Sequence, residues 1–94
     1  MIKQKYNILV QQDGKKCLKE ISGYIYKIDG MVFGVDKRYK HHWQVTELST
    51  GRAIGCGIPR LQDIYTLLDE EKRLLIKNAL KKSEVEIVND IDRF

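Results

Sequence analysis

Proline occurs once in these 94 residues and cysteine twice, and nowhere do more than three apolar residues stand in a row. Runs as short as Ile8-Leu9-Val10 and Leu74-Leu75-Ile76 are far below the roughly 20 residues that cross a bilayer as a helix, so no transmembrane helix is expected. Met1-Ile2-Lys3-Gln4-Lys5-Tyr6 is basic, yet no apolar core and no small-residue cleavage site follow it. The reading is therefore a chain without a secretory signal and, by default, a cytoplasmic one. Cys17 and Cys56 are too few and too far apart for a disulfide framework and are read as small buried hydrophobes.

What is present is ordinary globular material. Hydrophobic residues make up 43% and charged residues 32%, so disordered and fibrous classes are excluded, and the length suits one domain with one small core. Seventeen Lys and Arg stand against 13 Asp and Glu, a net charge of +4. Residues 1–60 carry eleven Lys/Arg and five Asp/Glu, a net +6, whereas residues 61–94 carry six and eight, a net −2. No linker or repeat separates the halves, so the asymmetry divides two layers of one domain spanning 1–94, with the change at Pro59.

Residues 1–58 read as a β-meander. Short runs rich in Tyr, Ile, Val and Phe are punctuated by Asp13-Gly14, Asp29-Gly30 and Ser49-Thr50-Gly51. A two-residue turn at Asp29-Gly30 pairs Ile28 with Met31, Tyr26 with Phe33 and Tyr24 with Val35, placing all six on one face. The same turn at Asp13-Gly14 pairs Val10 with Cys17, Ile8 with Lys19 and Tyr6 with Ile21. Ile21 and Tyr24 are three apart, which breaks alternation if both face one core, so a β-bulge is expected at Ser22-Gly23. A four-residue loop, Leu48 to Gly51, pairs Glu47 with Arg52, Val45 with Ile54 and Trp43 with Cys56. That register leaves His42, Gln44 and Thr46 opposite Gly57, Gly55 and Ala53 as a flat outer strip open to close approach.

Residues 59–82 read as a helical layer. Leu61, Ile64, Leu68, Leu75 and Ala79 recur at helical spacing, and Asp69 before Glu70-Glu71 marks a restart, giving helices near 60–67 and 70–82. Residues 83–94 are a tail, in which Glu84 to Val88 alternates like a short edge strand or frays as a free end. The expected class is α+β, an antiparallel meander of about five strands followed by two helices packed on one face.

Catalytic and metal chemistry find little support. Cys17, His41, His42 and Cys56 make a Cys2His2 inventory, but adjacent histidines on a strand point to opposite faces and no close ligand pair exists. No nucleophile elbow, phosphate-binding glycine loop or zinc-protease helix is present, and the acid pairs Glu70-Glu71 and Glu84/Glu86 suit solvated positions. No cofactor and no metal are expected, and the chain is not read as an enzyme. The densest feature is Asp36-Lys37-Arg38-Tyr39-Lys40-His41-His42-Trp43, with three fixed cations, two imidazoles and two aromatic rings. Cations that meet phosphates and rings that stack on bases together suit nucleic acid. A solvated loop with Trp43 turned inward is the plain alternative. The candidate binding residues are Lys37, Arg38, Tyr39, Lys40, His41, His42 and, from the next hairpin, Arg52.

The order of strand His42–Leu48, turn Ser49-Thr50-Gly51, strand Arg52–Gly57 and a helix opening at Ile58-Pro59-Arg60 resembles the sheet-plus-helix ending of arm-type DNA-binding domains of tyrosine recombinases. The resemblance implies major-groove binding by the sheet. Two additional N-terminal strands and the second helix depart from that family's plan. The sequence thus reads as a small non-enzymatic binding module of phage or mobile-element type, whose basic sheet face and 36–43 loop contact nucleic acid or a nucleoprotein. The alternative partner is a protein, as for an inhibitor or adaptor that resembles anti-CRISPR proteins in size and binds a nuclease effector.

Overall fold

The computed structural model describes residues 2–39, 42–82 and 86–94, the side chains of Arg38, Tyr39 and Lys82 excepted. Five antiparallel strands stand in the spatial order of the sequence: β1 (Gln4–Gln12), β2 (Lys15–Ile28), β3 (Met31–Tyr39), β4 (His42–Glu47) and β5 (Arg52–Ile58). A 3-10 turn at Leu61–Asp63 leads into α1 (Ile64–Leu67) and α2 (Glu70–Lys82), and a second 3-10 turn spans Ile91–Arg93. The fold is α+β, a five-stranded meander followed by helices. None of the described helices is long and apolar enough to cross a membrane.

Two Asp-Gly turns set the first three strands. Asp13 and Asp29 adopt φ of 53° and 55°, followed by Gly14 and Gly30 at 76°, the left-handed pair that a type I′ turn demands. The ladders run as expected, with Val10 opposite Cys17, Ile8 opposite Lys19, Tyr6 opposite Ile21, Tyr26 opposite Phe33 and Tyr24 opposite Val35.

The expected bulge at Ser22-Gly23 is absent, because the sheet buries both faces. β2 passes from its β1 ladder at Gly23 to its β3 ladder at Tyr24 without a register shift. Tyr26, Met31, Phe33, Val35 and Val45 form a core under Ile64, Leu68 and Ile76 of the helices, with Tyr24 and Ile28 packed against it. Tyr6, Ile8, Val32 and Leu48 form a second core on the other face, joined by Ile21, Ile25, Ile91 and Phe94. The three-residue step from Ile21 to Tyr24 is therefore a change of face. Gly23 and Gly34 serve clearance: a Cβ on either would come within 2.5 Å of the Tyr6 side chain. That ring lies across the sheet and its hydroxyl donates to Asp36 Oδ1 at 3.4 Å.

The helical layer differs from expectation in phase. Asp69 caps α2 as read from the sequence, accepting from Lys72 N–H at 2.8 Å. Ile76 and Leu80, however, face the core, while Leu74 and Leu75 are 57% and 60% exposed and Ala79 is exposed too. The helix is also oriented by charge. Lys77 Nζ lies 2.7 Å from Asp29 Oδ2 and Arg73 Nε 3.7 Å from it, which ties α2 to the β2–β3 turn. The hydrogen bond and charge of Lys77, with Arg73 adding to them, hold the Asp29 carboxyl below its ordinary value.

The tail closes the second core. Of residues 84–88, read as an edge strand or a frayed end, 84 and 85 lie outside the described residues, and 86–88 belong to no strand. Val88 N–H donates to Ser49 O at 2.8 Å. Buried Asn89 donates to Asn7 O at 2.8 Å and Leu48 O at 2.7 Å, and accepts from Asn7 N–H at 2.8 Å.

Candidate functional site

Of the 36–43 run read as a loop, the described residues lie on strands. Residues up to Tyr39 belong to β3, and β4 begins at His42, with Tyr39 opposite His42 after an irregularity that follows Asp36. Asp36 is buried, Lys37 and His42 are exposed, and Trp43 is half-buried. Arg38 and Tyr39 lie on β3 by backbone alone, and the expectations for Lys40 and His41 fall outside the described residues.

Trp43 gives this end its character. Its ring lies 6.1 Å from that of Tyr24, centroid to centroid and tilted by 41°. Lys37 Nζ stands 5.5 Å from the Trp43 centroid, and Lys3 Nζ stands 5.8 Å from the Tyr24 centroid. The result is a row of cation, ring, ring and cation drawn from the segment before β1 and from β2, β4 and β3. Ammonium groups at these distances are attracted to the ring faces. The sequence gives little warning of the row, because Lys3 and Tyr24 are far from Trp43 along the chain and only the sheet order joins them.

Arg52 does not belong to this row. It pairs with Glu47 at the far end of β4 from His42, a separation of about 17 Å at the usual rise per strand residue. The β4–β5 register keeps Thr46 opposite Ala53 as expected and departs from expectation beyond that pair. Shifts on either side of Val45 place Gly55 opposite Val45 and Ile58 opposite Trp43, so Ile58 is buried and Cys56 is exposed, while Cys17 is half-buried. The reason is packing: a Cβ on Gly55 would sit 2.6 Å from Leu67 Cδ2, so α1 rests directly on the β5 backbone. The flat outer strip is likewise not formed, since Thr46 is wholly buried and Gln44 half-buried.

The acids and thiols do not converge. Among the described residues no group of three or more His, Cys, Asp or Glu is placed to hold a metal ion. Glu47 is spent on its own turn, accepting from Ser49 Oγ at 2.6 Å, Thr50 Oγ1 at 2.7 Å and both backbone amides at 3.1 Å.

Comparison with protein-family models, curated proteins and solved structures yields no match to this chain, which leaves the likeness to arm-type recombinase domains as one of strand and helix order.

Proposed function

We propose that the protein is a small non-enzymatic binding module that contacts nucleic acid through the basic end of the β3–β4 hairpin. The observation that carries this reading is the half-buried Trp43 ring beside Tyr24, flanked by Lys37 and Lys3. Aromatic rings at the end of a sheet can receive unstacked bases, and cations beside them meet the phosphates, so a single strand passing this end of β2, β3 and β4, beyond the helix-covered core, would satisfy both. Arg38 on β3 and exposed His42 on β4 belong to the same hairpin end. The net charge of +4, concentrated in the residues that build the sheet, favours a polyanionic partner and speeds encounter with it.

The test is direct titration with mixed single-stranded DNA and RNA at about 50 mM salt, where electrostatic binding is strongest. Quenching of Trp43, the chain's single tryptophan, reports stacking. Saturable binding with quenching supports the reading. A dissociation constant weaker than about 10⁻⁴ M at that salt removes nucleic acid as the direct ligand and leaves a protein partner in its place.

A further inference from the structure

The strand order makes β1 and β5 the two edges of the sheet, and the sheet curls until they meet. Leu9 N–H donates to Gly51 O at 2.8 Å, yet no ladder joins β1 to β5 among the described residues. Past that bond lies a gap of about 250 Å³ between Val10 and Gln11 on one side and Arg52 and Ala53 on the other. The gap runs into a cavity of about 370 Å³ lined by Leu9, Leu18, Val88, Lys16, Arg52 and Glu86. Leu9, Lys16 and Arg52 line both, so the two make one trough.

From this trough we infer a second binding site, one that takes an extended acidic peptide carrying an apolar residue. Three features select that ligand. The trough has an apolar wall, Leu9, Leu18 and Val88, of which Leu18 is 55% exposed. It has a cationic rim, Lys16 and Arg52, neither of which has an ion-pair partner among the described residues. It also has a strand edge. In β1 every second residue turns its backbone groups away from β2. Asn7 spends its amide on Asn89 and Leu9 spends its amide on Gly51, and Gln11, next in that series, presents its own to the trough. An extended segment adds to such an edge by main-chain hydrogen bonds, while its side chains are read by the flanking pocket. Nucleic acid fits less well. No aromatic ring lines the trough to stack on a base, and a phosphate backbone has no alternating amide and carbonyl groups to pair with the β1 edge. The site lies at the other end of β4 from Trp43, so it stands or falls separately from the function proposed above.

The experiment is a titration of the ¹⁵N-labelled protein with three probes: the acetylated, amidated pentapeptide Glu-Leu-Asp-Leu-Glu, its counterpart Lys-Leu-Lys-Leu-Lys, and a single-stranded oligothymidine. The acidic peptide is expected to shift the amides of Leu9, Gln11, Leu18, Arg52 and Ala53. Lys16→Glu combined with Arg52→Glu is expected to weaken it by about tenfold or more, while Lys37→Ala leaves it unchanged. N-methylation of alternate peptide amides should weaken it as well, as pairing at the β1 edge requires. The proposal is overturned if the acidic peptide causes no shift at about 10⁻³ M, if the basic peptide causes the same shifts, or if those amides respond to the oligothymidine instead. Both Glu substitutions fall at exposed positions, and an unchanged amide spectrum elsewhere shows that the variant is folded.

Discussion

The ring of Tyr6 occupies the space that a side chain on Gly34 would need: a Cβ there would stand 2.5 Å from Tyr6 Cζ and 2.8 Å from Leu48 Cδ2. Gly34→Ala is expected to destabilise the fold by about 1–3 kcal/mol through overpacking. The cost should shrink in a Tyr6→Leu background, where the space is partly vacated, because residues in contact couple non-additively. Urea denaturation of the two single variants and the double variant checks this, and equal costs in both backgrounds would show that the ring is not the obstacle.

Asn89→Ala should remove about 2–4 kcal/mol, since Asn7 N–H, Asn7 O and Leu48 O lose the buried amide that satisfies them. Hydrogen exchange at the Asn7 and Val88 amides should quicken more than exchange within β2 and β3. Uniform quickening across the sheet would contradict a local strap.

Asp29 makes an acid-side prediction. Its carboxyl is held below its ordinary value of 3.8 by Lys77 first and Arg73 second, so its contribution is present above that value and is lost as pH falls through the lowered one. Asp29→Asn keeps a residue that tolerates positive φ and removes the charge. The variant should melt below the parent at neutral pH, and the difference should close at pH values beneath the carboxylate range. A constant difference in melting temperature across that range would show that the ion pair plays no part.

Lys37→Ala, Arg38→Ala and Lys40→Ala together should flatten the log–log salt slope of nucleic-acid binding by about 2–3 units, each lost phosphate contact releasing somewhat under one counterion. The fold should survive, because Lys37 is exposed and the apolar groups of that end belong to Tyr24 and Trp43. An unchanged slope would place the contacts elsewhere.

Much of the fold was legible because its signals are local. Asp-Gly dictates a two-residue turn, and the turn then dictates every pair in its ladder, which is why β1, β2 and β3 stand in the expected register. What escaped depends on what lies above and below the sheet. The step from Ile21 to Tyr24 reads equally as a bulge under one core or as a change of face between two, and the second core of Tyr6, Ile8, Val32 and Leu48, on which Ile91 and Phe94 pack, decides it. Leu74-Leu75-Ile76 offers three consecutive apolar side chains, so periodicity alone leaves the phase of α2 open, and the pull of Asp29 on Arg73 and Lys77 accompanies the phase that is adopted. Gly55 and Gly57 carry no side chain to fix the β4–β5 register, and α1 settles it by resting on Gly55. At the candidate site the cluster from Lys37 to Trp43 stood out in the sequence, whereas Lys3 and Tyr24 joined it only through strand order, and Arg52 was carried to the other end of the sheet.

The bond between Asn89 and Asn7 spans 82 positions, while the first two hairpins close over turns of two residues. During synthesis the meander and its helical cover can therefore assemble with Tyr6, Ile8 and Leu48 still facing water, and that surface is sheltered only after the segment from Val88 to Phe94 has left the ribosome. The same segment, tied by the Val88–Ser49 backbone bond and a few side-chain bonds rather than by a ladder, is expected to let go first when the protein opens. Proteases and chaperones would meet the protein first with Tyr6 bare and the helix-covered face intact.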